Sequence, residues 1–247
     1  MNDAMQTIPL LNLAIAFIPV IAIIFILYKW SLNFVNATYA IGRMLAQLLI
    51  IGYFLNFIFN LNSGGIVLII LMIMIIVSSW IALGVIRQKR IVLFKNAFIA
   101  IFIGGGITLL LVTKGVLDLS PWYLPQYMIP LAGMIFANSM NSVSLAAERL
   151  NSEISRGVDF ITARKDAYQA SLIPIINSLF AVGLVSIPGM MTGQILAGVE
   201  PLIAARYQIM VMCMVFGTAG ISSALFLILS KSIFIAEEQE IKSIKLQ

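Results

Sequence analysis

The sequence of 247 residues contains no histidine and only one cysteine, Cys213. The missing imidazole excludes a histidine metal site, a histidine proton relay and a histidine-based catalytic triad within this chain. A single cysteine excludes an intrachain disulfide. Charged residues are also scarce, at 10% of the chain, so few carboxylates are left to ligate a hard cation.

Most of the chain consists instead of long apolar runs. Hydrophobic residues make up 61% of the chain and the mean hydropathy is +1.05, which is too apolar for a soluble domain. About 20 apolar residues cross a hydrocarbon core of about 30 Å. We therefore expect an all-α, polytopic integral membrane protein, with residues 1–247 as a single transmembrane domain. About seven spans are predicted, over residues 8–27, 39–59, 66–86, 96–116, 126–147, 170–187 and 207–229.

The basic residues predict an orientation. With the N-terminus outside and seven alternating spans, only Lys114 and Arg206 of the 15 Lys and Arg residues fall on the outer side. The positive-inside rule therefore predicts an outer N-terminus and a cytoplasmic C-terminus. Anchors at an inner-leaflet surface also account for the pI near 9.4, so no nucleic-acid partner is expected.

Residues 183–198 interrupt an otherwise apolar run with glycine, proline and small polar side chains. Backbone that has left the helix survives at membrane depth only where it packs on protein or lines a wet cavity. Pro188 cannot donate a backbone hydrogen bond, so we expect a short helix or cap at the outer mouth, as part of a transport pathway or gate. The candidate residues are Pro188, Gly189, Met190, Met191, Thr192, Gly193 and Gln194.

Polar residues within the spans have two interpretations. Asn138 and Ser139 in the fifth span and Asn177 in the sixth either bridge helices, which contributes about 0.6 kcal/mol per bond, or line the pathway. Met190 and Met191 are soft ligands for an ion such as Cu(I), but methionine also fills apolar cores. Metal ligands therefore stay unknown at this stage.

The inner loop over residues 148–168 carries four acidic and four basic residues. Three apolar residues within it, at i, i+4 and i+7, predict a short amphipathic helix parallel to the membrane. Its balanced charge favours docking to a protein groove over resting on lipid. The expected docking residues are Glu148, Arg149, Glu153, Ile154, Arg156, Val158, Ile161 and Arg164.

Several motifs resemble a known family. They include Gly42-Arg43, a Gln-Leu-Leu-Ile-Ile-Gly-Tyr run at residues 47–53, an Ile-Pro-Leu-Ala-Gly-Met run at residues 129–134, and a Pro-Gly-Met-Met-Thr-Gly motif at residues 188–193. The chain resembles the membrane subunit of the bacterial iron-export ABC transporter family, whose plant relatives are associated with aluminium tolerance. The resemblance covers nearly the whole chain.

The resemblance implies a non-enzymatic permease in the bacterial inner membrane that exports iron or another metal species. It implies no cofactor in this chain, and a separate cytoplasmic nucleotide-binding ATPase subunit that holds ATP and Mg²⁺. Because seven spans seldom enclose a pathway alone, we also expect a homodimer. Family members usually have a longer inner loop with a Leu-Gly-Ala-Ser/Thr-Pro turn, which is missing here, so three alternatives stay open: this chain docks its ATPase differently, weakly or not at all.

The predicted spans lack the residues that two other classes of membrane protein would need. An ion-coupled transporter would need titratable residues within the spans, and the predicted spans contain no Asp, Glu or His, which argues against proton coupling. An intramembrane enzyme would need a base beside a nucleophile, and no pattern supplies one. An ATP-independent transporter, or a non-transporting membrane assembly subunit, stays open as the alternative.

Overall fold

The computed structural model describes residues 8–60 and 63–245, and within these ranges the chain is helical with no β-strand. The chain divides into two compact units, residues 1–60 and 61–247, whereas the sequence predicts one domain. The α-helices are α1 (Leu10–Ile15), α2 (Ile18–Lys29), α3 (Phe34–Phe59), α4 (Gly64–Ala82), α5 (Arg90–Leu110), α6 (Pro125–Arg156), α7 (Phe160–Ala181), α8 (Gly189–Leu196), α9 (Pro201–Leu229) and α10 (Lys231–Lys245).

The first unit contains α1, α2 and α3. The predicted first span is split in two because Pro19, in the first turn of α2, cannot donate the backbone bond that would continue α1. The stretches Leu10–Lys29 and Phe34–Phe54 are both long and apolar enough to cross a membrane. No residue of α1 or α2 is buried, so their surfaces suit lipid or another protein.

The second unit opens with a helical hairpin. Gly64–Val116 is one apolar stretch of 53 residues, which as a straight helix would measure about 80 Å, more than twice a bilayer core. The stretch folds back at Ile86, whose φ of −120° and ψ of 58° break the helix. Arg90 closes this turn: its guanidinium lies 3.8 Å from the Trp80 ring centre, and its Nε donates to the Trp80 carbonyl at 2.9 Å. The predicted third and fourth spans are thus the two arms, α4 and α5.

Helix α6 is the centre of the second unit and packs against α4, α5, α7 and α9. Its 32 residues correspond to about 48 Å, so it is longer than a bilayer core is thick. It ends at Arg156 because Gly157 adopts a φ of 90°. The Asp159 carboxylate then caps α7 by accepting from the Ile161 and Thr162 N–H groups at 3.0 and 3.1 Å.

The separate amphipathic helix predicted within residues 148–168 is therefore wrong. The i, i+4, i+7 spacing of Ile154, Val158 and Ile161 crosses a helix break instead of following one helix. Ile154 belongs to α6, Val158 to the turn and Ile161 to α7. The inner loop is reduced to a three-residue turn at residues 157–159 between two helices that run on through it.

Gly104, Ser139, Thr218 and Ser222 form a group of small residues that allows close packing in the middle of the second unit, and we name this group the hydroxyl contact. The Ser222 hydroxyl donates to Ser139 Oγ at 3.0 Å, and Ser139 Oγ lies 3.0 Å from Thr218 Oγ1. A Cβ added at Gly104 would lie 3.0 Å from the Ser222 backbone nitrogen. Small residues thus bring α5, α6 and α9 together and satisfy the buried hydroxyls.

The two ends of the second unit differ in chemistry. At one end, which we name the basic end (residues 83–96, 148–165 and 229–239), Lys89 Nζ contacts Glu237 and donates to Asn151 Oδ1 at 2.6 Å. The Phe160 N–H donates to Glu238 Oε2 at 3.0 Å, which attaches α10 to α7. At the opposite end, the aromatic end, Trp122 and Tyr123 pack against Gly64. Aromatic rings at a helix end are typical of a membrane interface.

Candidate functional site

The interrupted segment contains the short helix that the sequence predicts after Pro188, namely α8. The preceding helix α7 ends at Ala181, six residues before the predicted end of the sixth span at residue 187. The chain turns there because Gly183 adopts a φ of 85° and donates its N–H to the Ser186 carbonyl at 2.9 Å. Gly198, with a φ of 89°, ends the segment before α9 begins. Each left-handed position favours glycine, which has no Cβ to clash.

A cavity of about 610 Å³ lies where α8 faces the N-terminal halves of α6 and α9, toward the aromatic end. Each helix contributes one face, since the lining residues recur at helical spacing. The cavity is lined by Leu117, Gln126, Tyr127, Pro130, Leu131, Met134, Met190, Gln194, Val199, Ile203, Tyr207 and Met210.

The wall of the cavity contains no charged side chain. Three thioethers reach it from three different helices, Met134 from α6, Met190 from α8 and Met210 from α9. The Gln194 Oε1 atom is buried and has no hydrogen-bond donor within the described part of the chain. Pro130 also lines the cavity and lies inside α6, where it has no N–H to give to the carbonyl of Gln126.

The predicted pathway residues divide into two groups. Met190 and Gln194 line the cavity, whereas the other five residues of the segment shape α8 without lining this cavity. The Thr192 hydroxyl donates to the Pro188 carbonyl at 3.2 Å. A Cβ added at Gly189 or Gly193 would meet no atom within 4 Å. The Gly-x-x-x-Gly spacing therefore makes no close helix contact among the residues that the structure describes.

The polar span residues do not reach this cavity. Asn138 donates its amide to the Met134 carbonyl one turn back on α6, at 2.8 Å. Ser139 belongs to the hydroxyl contact, which is the packing interpretation of the sequence. Asn177 is exposed on α7. The cavity-lining residues of α6 and α9 were not predicted, although the spacing of Ile203, Tyr207 and Met210 marks one helical face.

The predicted docking residues are also divided by the structure. Ile154 is fully buried, and Glu153 is buried between Arg149 Nη2 at 2.9 Å and Arg156 Nη1 at 3.3 Å. These two side chains hold the basic end together and are not available to a partner, which corrects the prediction for both.

The remaining docking candidates differ in their exposure. Val158 packs on the core, and the Arg164 guanidinium lies 5.9 Å from the Phe160 ring centre. Glu148 is exposed, as are the Arg156 side chain at 65% and Ile161 at 60%. These last three residues form the accessible part of the predicted docking surface.

The described residues contain no cluster of three or more His, Cys, Asp or Glu side chains that could hold a metal ion. Of the adjacent pair Met190 and Met191, only Met190 lines the cavity. The side-chain groups around the cavity that could ligate a metal are thus neutral: thioether sulfurs, amide groups and phenol oxygens.

Comparison with known proteins places the chain in a family. The model of the Uncharacterised protein family (UPF0014) matches residues 10–235. A UPF0014 membrane protein of Synechocystis sp. is 38% identical over 197 residues, which cover 74% of this chain and 76% of that protein. The protein named "Probable iron export permease protein FetB" of Escherichia coli is 34% identical, with 86% of each chain covered. Protein ALUMINUM SENSITIVE 3 of Arabidopsis thaliana is 32% identical, with 85% of this chain and 81% of that protein covered.

No solved structure matches the chain. The family match confirms the resemblance to iron-export permeases that the motifs carry. The Synechocystis relative is named a membrane protein, and the described residues of this chain include four helical stretches that are long and apolar enough to cross a membrane. This chain is therefore a multi-pass membrane protein that belongs to the UPF0014 family.

Proposed function

We propose that this chain is the permease subunit of an ABC-type exporter in the bacterial inner membrane, and that it moves iron or another metal species. The observation that carries the proposal is the cavity between α6, α8 and α9 within a multi-pass membrane protein. Non-helical backbone survives at membrane depth only where it packs on protein or lines a wet cavity, and Met190, Gln194 and Val199 of this interrupted segment and its end line the cavity. The Escherichia coli relative, which is named a probable iron export permease, aligns with 86% of this chain and supports the transport role.

The proposed topology has seven crossings, with the N-terminus outside and the C-terminus in the cytoplasm. Helices α1 and α2 form the first crossing, α3 to α7 the next five and α9 the last, while α8 stays at the outer mouth. The positive-inside rule supports this arrangement, because Arg87, Lys89, Arg149 and Arg156 gather at the basic end of the second unit. The basic end would then face the cytoplasm, and the cavity would open near the outer surface.

We place the ATPase partner at the basic end. Ile161, in the first turn of α7, has an exposed apolar side chain, and Arg156 and Glu148 on α6 have exposed charged side chains, which are the residue types of an interface anchor and of a polar rim. ATP and Mg²⁺ would be bound by the partner, so this chain would have no catalytic role of its own. Two copies of the chain would pair about one pathway, with two ATPase subunits below.

Partner binding can be tested directly. The full chain, purified in mild detergent from its native membrane, should bring with it a nucleotide-binding ATPase at about one copy per chain, measured by quantitative mass spectrometry. The variant Ile161→Asp should weaken that association at least tenfold, because it places an unpaired charge where an apolar anchor would be buried. Its matched control is Leu202→Asp, which changes another exposed apolar residue. Leu202 lies in the first turn of α9, away from the basic end.

The control variant should retain the ATPase, since an aspartate in the first turn of α9 is favourable there. Equal retention of the ATPase by Ile161→Asp and the native chain would contradict the docking surface. If no ATPase accompanies the native chain, the exporter proposal fails, and an ATP-independent transporter or an assembly subunit takes its place.

A further inference from the structure

The size and lining of the cavity restrict what it can bind. A volume of about 610 Å³ falls within the range of roughly 300–1,000 Å³ that is typical of sites for small molecules. A bare ion would occupy only a small part of it, since even a water molecule takes up about 30 Å³. The volume of the cavity therefore suits a small molecule and is far larger than a single ion requires.

The charge of the wall restricts the ligand further. A hard multivalent cation needs several oxygen ligands, including carboxylates, and the lining residues include no Asp or Glu. The described residues also contain no carboxylate, thiol or imidazole cluster elsewhere that would complete such a site. A ligand that carries net charge into this wall would lose hydration without gaining an opposite charge. The wall thus favours an uncharged ligand.

An unpaired acceptor indicates which polar group the ligand supplies. A buried amide oxygen without a donor is unfavourable, because it has lost its hydration without a replacement, and Gln194 Oε1 is in that state. This oxygen accepts, so a ligand that donates through N–H or O–H would satisfy it. The flexible side chains of Met134, Met190 and Met210 can adapt to its apolar faces.

We infer that this cavity binds a metal as an uncharged chelate with apolar faces and outward N–H or O–H donors, and not as a bare ion. Gln194 is the residue that recognises the donor. The role of this chelate as cargo rests on the proposed export function, but its binding does not require transport or an ATPase. The test of chelate binding and the test of ATPase association can therefore give opposite results, and failure of one does not imply failure of the other.

The test uses the full chain in lipid nanodiscs and two neutral ferric complexes. One is the tris complex of acetohydroxamic acid, whose ligands keep their N–H donors. The other is the tris complex of N-methylacetohydroxamic acid, which has the same metal and charge but no N–H. Equilibrium dialysis with excess free ligand, followed by elemental analysis of iron, gives the affinity for each complex. Bare Fe²⁺ and Ag⁺ are measured in parallel.

The native chain should bind both complexes at about one per chain, with the N–H complex at least tenfold tighter. Gln194→Leu should abolish that difference while it leaves the N-methyl complex nearly unaffected. Gln208→Leu is the matched control, because its Oε1 is also buried and unpaired but the residue does not line the cavity. This control should keep the tenfold preference.

A second variant keeps the inference testable if Gln194→Leu does not fold. Ile203→Trp adds bulk at the cavity wall, on a half-exposed position of α9, and should weaken both complexes by at least tenfold. The inference is overturned if neither complex binds, if Ag⁺ or Fe²⁺ binds in place of the chelates, or if the N–H preference survives in Gln194→Leu.

Discussion

Glycine has opposite effects in two parts of the second unit, the hydroxyl contact and α8. In the hydroxyl contact, Gly104 lets α5 approach α9 so closely that the Ser222 backbone nitrogen would lie 3.0 Å from an added Cβ. In α8, Gly189 and Gly193 have open space where a Cβ would be. The same residue type therefore packs helices in one place and leaves a helix loosely held in the other.

The difference separates a scaffold from a candidate moving part. The hydroxyl contact has paired, buried hydroxyl groups, so any shift between α6 and α9 would break hydrogen bonds in an apolar surrounding. Helix α8 has no buried residue and lies between two turns that depend on left-handed glycines. Elements with few buried contacts are the ones that open at low free energy. We therefore expect α8 to move against a fixed scaffold.

The largest expected effect comes from filling the scaffold contact. Gly104→Leu would drive a side chain into the backbone of α9, which cannot yield, and overpacking of this kind costs about 1–3 kcal/mol or more. We expect much less folded protein and a clearly lower midpoint of thermal unfolding in detergent. Gly106→Leu on the same helix is the control, because a Cβ there meets nothing within 4 Å. Equal loss of stability in both variants would show that α5 is not held by this contact.

A smaller, local effect is expected at the turn before α8. Gly183→Ala places a Cβ at a φ of 85°, which costs about 1–2 kcal/mol. This cost should loosen residues 182–198 and speed the hydrogen exchange of their amides, with little change in global unfolding. Gly189→Ala is the control, since Gly189 is the first residue of α8 and has no positive φ. Faster exchange throughout α6 and α9 in Gly183→Ala would mean that the segment is part of the scaffold.

The smallest expected effect concerns the hydroxyls themselves. A double-mutant cycle of Ser139→Ala with Ser222→Ala should give a coupling free energy near 0.6 kcal/mol, the average for such bonds between membrane helices. The cycle of Ser155→Ala with Ser222→Ala should give none, because the Ser155 hydroxyl donates within its own helix, to the Asn151 carbonyl at 2.7 Å. Reversible unfolding in detergent provides the four free energies. A coupling near zero for the first pair would show that the Ser139–Ser222 hydrogen bond does not stabilise the scaffold.

The sequence predicted the elements better than the tertiary contacts. Apolar runs and Pro188 predicted the approximate positions of the long apolar helices and of the interrupted segment, because span length and a missing backbone donor act locally. They did not predict the split of the first span or the end of α7 at Ala181. The docking helix was wrong because the spacing of Ile154 and Ile161 carries no information about the break at Gly157. The partners of Ser139, and the faces of α6 and α9 that meet at the cavity, depend on contacts between residues about 70 to 80 positions apart. No local pattern reports such contacts.

Locking α8 to α6 tests the central claim most directly. Met134→Cys with Met190→Cys, in a Cys213→Ser background, places two thiols on opposite walls of the cavity. A reducible bifunctional thiol reagent would then join them in cells loaded with radioactive iron, and efflux would be followed. The control pair is Ser139→Cys with Ser222→Cys, whose oxygen atoms lie 3.0 Å apart in the native scaffold.

We predict that the cross-link between α6 and α8 stops iron efflux and that reduction of the cross-link restores it. The disulfide within the scaffold should leave efflux unchanged. Efflux that continues at the full rate with α8 locked to α6 would contradict the account.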